Sequence, residues 1–339
     1  MKYMANVALA LAATLGTIFA AEIGLRIYDR FVALTADDCY QASPIAELPY
    51  IAKANFRKRG YFTNSHHLRN AEIPLDKPAG ALRIAVVGNS MTIGHYVEQD
   101  CLFTQIMERD LKASFQGNPG VDVINAGQQG YNIEHFMPFS RQFVYAYQPD
   151  YLIYQFCWND VEAPLMVRSR KLPDEVPDRS LSQFLTKYSR LFGKIVMLQN
   201  LSKFAEKMLI CYDDSLAWKS FVTDLSAWAD DVRGRNIHFA MAIFPTALEI
   251  QIPDRYPDLT EDFRRQRNRI LEQCRHYGIP TCDLTDPLTS DYQRNRKDLY
   301  LDFTHFNPRG HALAAQIIEG WLASEYKDQG WPSNPKALR

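Results

Sequence analysis

The sequence predicts an α/β fold in which a parallel β-sheet is covered by helices on both faces. Short apolar runs of strand length alternate with longer segments of helical spacing, the pattern of repeated strand–helix–strand units. The runs are almost continuously apolar, as expected of strands that are buried on both sides. Strands are predicted over residues 82–87, 121–124, 151–157, 237–244 and 280–284. Helices are predicted over residues 104–113, 133–147 and 258–277, and after Pro308.

Composition narrows the class of protein. The chain has 339 residues, 47% hydrophobic and 23% charged, which suits one large α/β domain with additional segments. Because 38 Lys and Arg residues are balanced by 39 Asp and Glu residues, no bulk charge attracts nucleic acid, and we expect no such partner. The six cysteines include no CxxC pair, so neither a zinc site nor a redox motif is expected, and no disulfide is assigned.

Residues 1–30 differ from the rest of the chain. Residues 3–21 carry no charge and are rich in Ala and Leu. Since roughly 20 apolar residues are needed to span a bilayer, we predict an uncleaved transmembrane anchor. A cleaved signal peptide is the alternative, because Lys2 precedes the apolar stretch and Ala20-Ala21 is small. A buried core helix is a third interpretation.

The remaining chain divides into three predicted segments. Residues 31–80 form a lead-in of mixed charge, in which residues 61–64 are a candidate edge strand or hairpin arm. Residues 81–325 form the main domain, and residues 326–339 form a tail. Within the main domain, residues 161–220 break the strand–helix alternation and are too long for an ordinary connection. We interpret them as a helical insertion that overhangs the site; a surface excursion without function is the alternative.

Ser90 follows the first predicted strand, directly after Gly88-Asn89. A tight turn there would expose the serine hydroxyl at the carboxyl edge of the sheet, where α/β folds bind ligands. The backbone N–H of Ser90 would also begin a helix and could face an anion. Ser90 is therefore a candidate nucleophile, and the alternative interpretation is a simple helix N-cap.

Two further residues could stabilise a developing oxyanion. Gly127 follows the second predicted strand, and a glycine lets the backbone N–H approach a ligand closely. Asn159 follows the third strand, and its side-chain amide can donate a hydrogen bond to negative charge. The alternatives are a turn glycine and an Asx turn that begins at Asn159 or Asp160.

Asp302 and His305 lie three residues apart, before Pro308. This spacing can bring both side chains to one side of a turn, where the carboxylate accepts from one ring nitrogen of the histidine. The other ring nitrogen is then free to act as a base. Because the pair follows the fifth predicted strand, we expect it at the same sheet edge as Ser90.

In this order the segments resemble the conserved blocks of the SGNH, or GDSL-type, hydrolase family, over about residues 80 to 325. The corresponding blocks are residues 87–94, 125–127, 159–160 and 302–307. The resemblance implies that Ser90, His305 and Asp302 form a catalytic triad. It also implies an oxyanion hole built from the backbone N–H groups of Ser90 and Gly127 and the amide of Asn159.

The chain departs from the family pattern at two positions. Asn89 stands where the family usually has Asp, and we expect activity to survive with altered local hydrogen bonding. Trp158 stands where the family often carries Gly, and a bulky indole there is expected to narrow the acyl pocket. Asn89, Trp158 and the nearby His95 are therefore candidate pocket-lining residues.

The resemblance implies a flavodoxin-like three-layer α/β/α sandwich with a five-stranded parallel sheet. It further implies an esterase that uses neither metal nor cofactor and acts on acetyl or short acyl groups of glycans or lipids. An O-acyltransferase for envelope polysaccharide and an inactive glycan-binding protein are the alternatives. Arg26 and Arg30 favour a cytoplasmic main domain by the positive-inside rule. The resemblance instead implies a membrane-anchored, extracytoplasmic domain, secreted if the segment is cleaved, and we follow the resemblance.

Overall fold

The structure is a computed structural model, and it describes residues 2–32, 37–58, 60–94, 96–114, 120–161, 189, 191–192, 201–327 and 331. The strands are β1 (Tyr40–Ala42), β2 (Tyr50–Ala52), β3 (Arg57–Lys58), β4 (Tyr61–Phe62), β5 (Leu82–Gly88), β6 (Val121–Gly127), β7 (Tyr151–Phe156), β8 (His238–Ile243) and β9 (Thr281–Asp283). The α-helices are α1 (Lys2–Val32), α2 (Ser90–Ile93), α3 (Phe103–Ser114), α4 (Ile133–Phe139), α5 (Leu201–Asp213), α6 (Ser215–Arg233), α7 (Ala247–Gln251), α8 (Pro257–His276), α9 (Thr285–Asn295) and α10 (Pro308–Glu325).

Strands β5 to β9 form one parallel sheet in the order β6-β5-β7-β8-β9. Strands β7, β8 and β9 lie within the predicted apolar runs, β5 extends one residue beyond its run, and β6 extends three residues beyond its run, to Gly127. The five strands and their order confirm the predicted flavodoxin-like sandwich. The chain moves from β5 outward to β6 and then crosses back to β7 on the other side of β5. This reversal is the topological switch point of the fold, where α/β proteins bind ligands.

Alternate side chains of strand β5 pack into two separate hydrophobic cores, one on each face of the sheet. Ala85 and Val87 point to one face of the sheet, and Ile84 and Val86 point to the other. The first core includes side chains of α4, α6 and α8: Phe136, Trp228 and Phe263. The second includes side chains of α3, α9 and α10: Met107, Leu288 and Ile318. Burial of one such apolar side chain contributes about 1.5–3 kcal/mol to the free energy of unfolding. Because the helices cover both faces of the sheet, both faces of each strand are buried, and the strands appear in the sequence as continuous apolar runs.

The lead-in forms two antiparallel ribbons, β1 with β2 and β3 with β4. Tyr61–Phe62 thus lies in a hairpin arm, as predicted. Beyond this hairpin, the fully buried guanidinium of Arg69 donates to the carbonyl oxygens of Gly94 and Val97, each at 2.6 Å, and also to that of Ile93. The lead-in therefore braces the chain that follows Ser90.

The predicted helix over residues 133–147 is regular only in its first half. Helix α4 ends at Phe139, a π-helical turn spans Ser140–Val144, and a 3₁₀ turn spans Tyr145–Tyr147. Pro138 lies within α4, and a proline removes a backbone donor and clashes with the carbonyl group one turn earlier. The helical periodicity of the sequence did not predict this interruption.

Much of the predicted insertion at residues 161–220 lies outside the described residues, namely residues 162–188, 190 and 193–200. Its described part includes α5 and the start of α6, which bury Leu209, Tyr212 and Ala217 in the first core. Whether the insertion overhangs the site stays a prediction.

The described residues include one helix that is long and apolar enough to cross a membrane, at Leu9–Ile27 within α1. Its side chains are not buried against the rest of the chain, which suits an anchor or a signal sequence equally well. Glu22 on this helix pairs with Arg26 at 2.7 Å. It also accepts from the hydroxyl of Ser189 at 2.9 Å and the backbone N–H of Leu191 at 3.0 Å.

Candidate active site

The sheet brings Ser90 and Asn159 to its carboxyl edge on adjacent strands. Ser90 follows β5, and Asn159 follows β7, which pairs directly with β5. Gly88, at the end of β5, lies opposite Gly127 at the end of β6. The site therefore occupies the crevice at the switch point, because the sheet register aligns these strand ends.

Ser90 begins α2 rather than capping it. The cap is Asn89, whose side-chain oxygen accepts from the backbone N–H of Met91 at 3.1 Å. Gly88 makes the turn feasible: a Cβ there would lie 2.3 Å from Oγ1 of Thr92 and 2.6 Å from Oε1 of Gln155. The hydroxyl of the partly exposed Ser90 is thus available for a contact outside its own helix.

That contact is with His305. Oγ of Ser90 lies 2.8 Å from Nε2 of His305, and Nδ1 of His305 lies 2.7 Å from Oδ2 of Asp302. The second carboxylate oxygen of Asp302 accepts from the backbone N–H groups of Thr304 and His305, each at 2.8 Å. The structure therefore brings the three predicted residues into one continuous row, as the three-residue spacing of Asp302 and His305 indicated.

The environment of Asp302 favours its ionised form. Burial opposes ionisation, but the neighbouring His305 and the backbone N–H groups outweigh it and hold the pKa of Asp302 below its usual value. An ionised Asp302 can only accept a hydrogen bond, so it places the proton of the neutral His305 ring on Nδ1. The tautomer that results is the one that can accept the proton of Ser90.

Asn159 lies in a 3₁₀ turn, Trp158–Asp160, and is partly exposed. Its side-chain oxygen accepts from Nδ2 of Asn89 at 3.0 Å. The same Nδ2 also donates to Oδ1 of Asp160 at 3.1 Å. Asn159 is therefore connected to the residue that precedes Ser90 through a direct side-chain contact.

Gly127 requires a correction. Its backbone N–H donates to Oδ1 of Asn125 at 3.1 Å, and the residue is buried. A Cβ at this position would lie 2.2 Å from the backbone nitrogen of Ile93. The structure thus makes Gly127 a close-packing glycine beneath α2 rather than an oxyanion donor. Gly130 in the following turn is partly exposed, with φ +69°.

The prediction that Trp158 lines the pocket is wrong. The residue is completely buried, and its indole nitrogen donates to Oε2 of Glu249 at 2.9 Å. Its ring packs against Tyr212 and Phe263, with ring centroids 5.7 and 5.0 Å away. The 3₁₀ turn directs the indole into the core, so it does not narrow an accessible pocket.

The two remaining candidates for the pocket lining have different outcomes. Asn89 is completely buried, so its side chain serves as a hydrogen-bonding partner inside the protein rather than as an exposed wall. His95 lies outside the described residues.

Tyr96 is a site residue that sequence reasoning missed. Its ring packs edge-on against the ring of His305, with centroids 5.6 Å apart and planes at 87°. Its backbone adopts φ +77°, which is costly for a bulky residue and is found where surrounding structure imposes it. No sequence signal could have found it, since only tertiary contacts hold a tyrosine in this conformation.

Among the described residues, no group of three or more His, Cys, Asp or Glu side chains is placed to hold a metal ion. What the edge of the sheet does hold is a hydroxyl, an imidazole and a carboxylate in hydrogen-bond sequence. A row of this kind on an α/β/α sandwich defines a candidate serine hydrolase.

The chain belongs to the GDSL-like lipase/acylhydrolase family, whose model matches residues 86–313. This confirms the predicted family and supports an ester hydrolase. A search of curated proteins found no match.

Several solved structures are similar to the chain. One is the acetyl xylan esterase AlAXEase, with 15% identity, 70% of this chain and 98% of that chain covered, and a TM-score of 0.47. A lipase/acylhydrolase from Enterococcus faecalis shows 17% identity, coverage of 75% and 99%, and a TM-score of 0.45. A catalytic mutant of Axe2, an acetylxylan esterase from Geobacillus stearothermophilus, shows 10% identity, coverage of 71% and 94%, and a TM-score of 0.46.

Proposed function

We propose that the protein is a serine esterase that hydrolyses carboxylic esters through an acyl-enzyme formed on Ser90. The observation that carries this proposal is the row of contacts from Oγ of Ser90 through His305 to Asp302, at 2.8 and 2.7 Å. Family membership supports the same reaction class.

In the proposed first step, Nε2 of His305 accepts the proton of Ser90 as Oγ attacks the ester carbonyl carbon. The tetrahedral intermediate collapses, the ester C–O bond breaks, and the alcohol leaves with the proton held by His305. Water then gives a proton to His305 and attacks the acyl carbon. The carboxylic acid departs, and the proton returns to Oγ of Ser90. Asp302 stabilises the imidazolium that forms in each half-reaction.

The oxyanion of each intermediate needs donors at the carboxyl edge. We assign this role to the backbone N–H of Ser90 and to the side-chain amide of Asn159. For a third donor we favour Gly130 over Gly127, because the N–H of Gly127 already donates to Asn125 and Gly130 lies in a partly exposed turn of the same loop. Such donors are effective because they are fixed before charge develops.

For the substrate we propose acetyl or short acyl groups on a glycan or a lipid, within reach of a membrane surface. The apolar helix at Leu9–Ile27 supports an anchored protein, and we place the catalytic domain on the extracytoplasmic side. Protease accessibility of the domain in intact and permeabilised cells tests this topology. Digestion only after permeabilisation of the inner membrane would contradict it.

The proposed nucleophile is tested on the full-length protein in detergent, by labelling with a fluorophosphonate probe and by hydrolysis of p-nitrophenyl acetate. We expect Ser90→Ala to abolish labelling and to lower kcat by about 10⁶-fold, as in other serine hydrolases. Ser226→Ala is the matched control, because the hydroxyl of Ser226 bonds to the carbonyl of Thr223 within α6, 2.9 Å away. Labelling of the Ser90→Ala variant at the wild-type rate would contradict the proposal.

A further inference from the structure

The turn that contains Gly130 lies between the edge of the sheet and the lead-in. Its first residue, Gln128, donates its backbone N–H to the carbonyl oxygen of Gly88 at 2.9 Å, two residues before Ser90. On the other side, the side-chain oxygen of Gln128 accepts from the backbone N–H of Ala52 in β2 at 3.0 Å. The lead-in therefore contacts a turn to which we assigned an oxyanion donor.

The turn over residues 128–131 is a type II β-turn. The backbone N–H of Tyr131 faces the carbonyl oxygen of Gln128 at 3.4 Å and closes the turn. Gly130 has φ +69°, whereas Gln129 is not among the residues with a positive φ. A positive φ at the third position alone defines type II, and type I differs by a rotation of the central peptide unit of about 180°. The central unit of this turn is the peptide between Gln129 and Gly130.

Tyr50 holds one side of this central peptide. Its hydroxyl donates to the carbonyl oxygen of Gln129 at 2.6 Å. The peptide bond is trans, so its N–H, which belongs to Gly130, points away from the carbonyl oxygen. A rotation to the type I arrangement would break the contact with Tyr50 and turn the N–H of Gly130 to the opposite side.

The side chain of Tyr50 is itself held in place. It is buried, and its ring packs against the rings of Tyr40 and Tyr131, with centroids 5.5 and 5.6 Å away. The backbone carbonyl oxygen of Tyr50 accepts from the hydroxyl of Tyr131. Because folding has already restricted this side chain, little further conformational entropy is lost when its hydroxyl bonds to the turn.

We propose that Tyr50 is a positioning residue that keeps the Gln129–Gly130 peptide in the type II arrangement and so directs the N–H of Gly130 to the oxyanion. The inference rests on the proposed esterase function and on Gly130 as the third donor. It extends the site to a residue of the lead-in that contacts no substrate. A donor is most effective when its direction is fixed before charge develops, and the hydroxyl of Tyr50 fixes it through the same peptide unit.

The sharpest test is Tyr50→Phe in the full-length protein in detergent, with p-nitrophenyl acetate as substrate. The substitution keeps the ring and its contacts with Tyr40 and Tyr131, and it removes only the hydroxyl. We expect kcat to fall by about 10-fold with KM changed by less than a few-fold, because one hydrogen bond shifts the peptide equilibrium by up to about 10-fold. This loss is smaller than the 10²–10³-fold or so expected for a missing donor, since the N–H of Gly130 is still present.

Tyr147→Phe is the matched control. The hydroxyl of the fully buried Tyr147 accepts from Nδ2 of Asn64 at 3.3 Å, so this variant also removes a tyrosine hydroxyl between the lead-in and the main domain. In the described part of the chain, neither of these two side chains bonds to the turn over residues 128–131. We expect both variants to lower Tm and only Tyr50→Phe to lower kcat. An equal loss of kcat in Tyr147→Phe would overturn the inference, because any loosening of the lead-in would then impair the site.

A double-mutant cycle with Gly130→Ala locates the effect in the turn. Alanine is strained at φ +69° and favours the type I arrangement, so we expect Gly130→Ala to lower kcat by about 10²-fold. Once the peptide has rotated, the hydroxyl of Tyr50 no longer faces its carbonyl oxygen. Adding Tyr50→Phe to Gly130→Ala should therefore cost no further activity. Losses that multiply in the double variant would overturn the inference, because Tyr50 would then act elsewhere.

The outcomes are distinct. A lower kcat in Tyr50→Phe, a wild-type kcat in Tyr147→Phe and no further loss in the double variant support the inference. A wild-type kcat in Tyr50→Phe or in Gly130→Ala overturns it and leaves the acyl-enzyme on Ser90 intact. If Ser90→Ala hydrolyses the ester at the wild-type rate, the esterase proposal fails and the inference fails with it.

Discussion

The two halves of the candidate site are built in contrasting ways. On the base side, Asp302 and His305 are three residues apart, their side chains are 27% and 19% exposed, and their mutual contacts form within one turn. On the side that we propose to bind the oxyanion, here called the oxyanion side, Asn89 and Asp160 are fully buried, and only the pairing of β5 with β7 brings them together. We therefore expect damage on the base side to impair chemistry alone, and damage on the oxyanion side to impair chemistry and stability together.

Between the two sides, the largest effect is expected from Asp302→Asn on the base side. The asparagine retains an oxygen for the backbone N–H groups of Thr304 and His305, but its NH₂ would donate to Nδ1 of His305. The proton of the ring then resides on Nε2, which can no longer accept from Ser90. We expect kcat for p-nitrophenyl acetate to fall by about 10⁴-fold. Thermal unfolding should show little change in Tm, and a large loss of Tm would show that the base side also contributes to stability.

A smaller loss is expected from Asn159→Ala on the oxyanion side. Removal of one oxyanion donor lowers turnover by about 10²–10³-fold, with KM nearly constant. The variant also leaves Nδ2 of Asn89 with one acceptor fewer, so Tm should fall as well. Asn295→Ala is the matched control, because Asn295 is exposed and its amide donates to Oδ1 of Asp291 one helical turn away. An unchanged kcat in Asn159→Ala would show that Asn159 is not an oxyanion donor.

The smallest expected effect concerns stability and pH. Glu249 accepts from the indole of Trp158, next to Asn159, and burial raises its pKa from 4.5 to about 7. A raised carboxyl pKa means that the folded state holds the proton more tightly than the unfolded state. The contribution of Glu249 to stability is therefore largest below about pH 4.5 and declines as pH rises to about 7.

Glu249→Gln removes this ionisation and keeps an acceptor for Trp158 and Thr246. Relative to wild type, we expect the variant to gain about 3 kcal/mol in unfolding free energy between pH 5 and pH 8, from 1.36 kcal/mol per pKa unit. Chemical unfolding at the two pH values measures this. An equal difference between variant and wild type at both pH values would show that Glu249 does not titrate in this range.

Much of the fold could be predicted because its signals are local. The strands are buried on both faces and so appear as unbroken apolar runs. The contact of Asp302 with His305 forms within a single turn, so the three-residue spacing in the sequence is enough to predict it. The position of Ser90 follows from the strand that precedes it, although the partner that its hydroxyl meets lies 215 residues further on.

The errors arose where the direction of a side chain depends on distant packing. The sequence predicts an exposed donor at Gly127. In the structure its backbone packs against Ile93, and its N–H donates to the side chain of Asn125. Trp158 lies beside Asn159 in sequence, yet a 3₁₀ turn sends the indole into the core and leaves the amide partly exposed. Consecutive residues in a tight turn point in different directions, and linear spacing carries no information about which of them meets solvent.

The sequence by itself determined the strands, their parallel arrangement, the apolar N-terminal helix and the positions of Ser90, His305 and Asp302 in the chain, because each depends on short-range pattern or hydrophobic burial. Only the tertiary structure decided that Asn89 lies against Asn159 and Asp160, that Tyr96 packs on His305, and that Gly127 is closed to ligand. These contacts arise from the register of β5 against its neighbours and from the close packing of the core. A hydrogen bond between residues about 70 positions apart exists only once the sheet has placed their strands side by side.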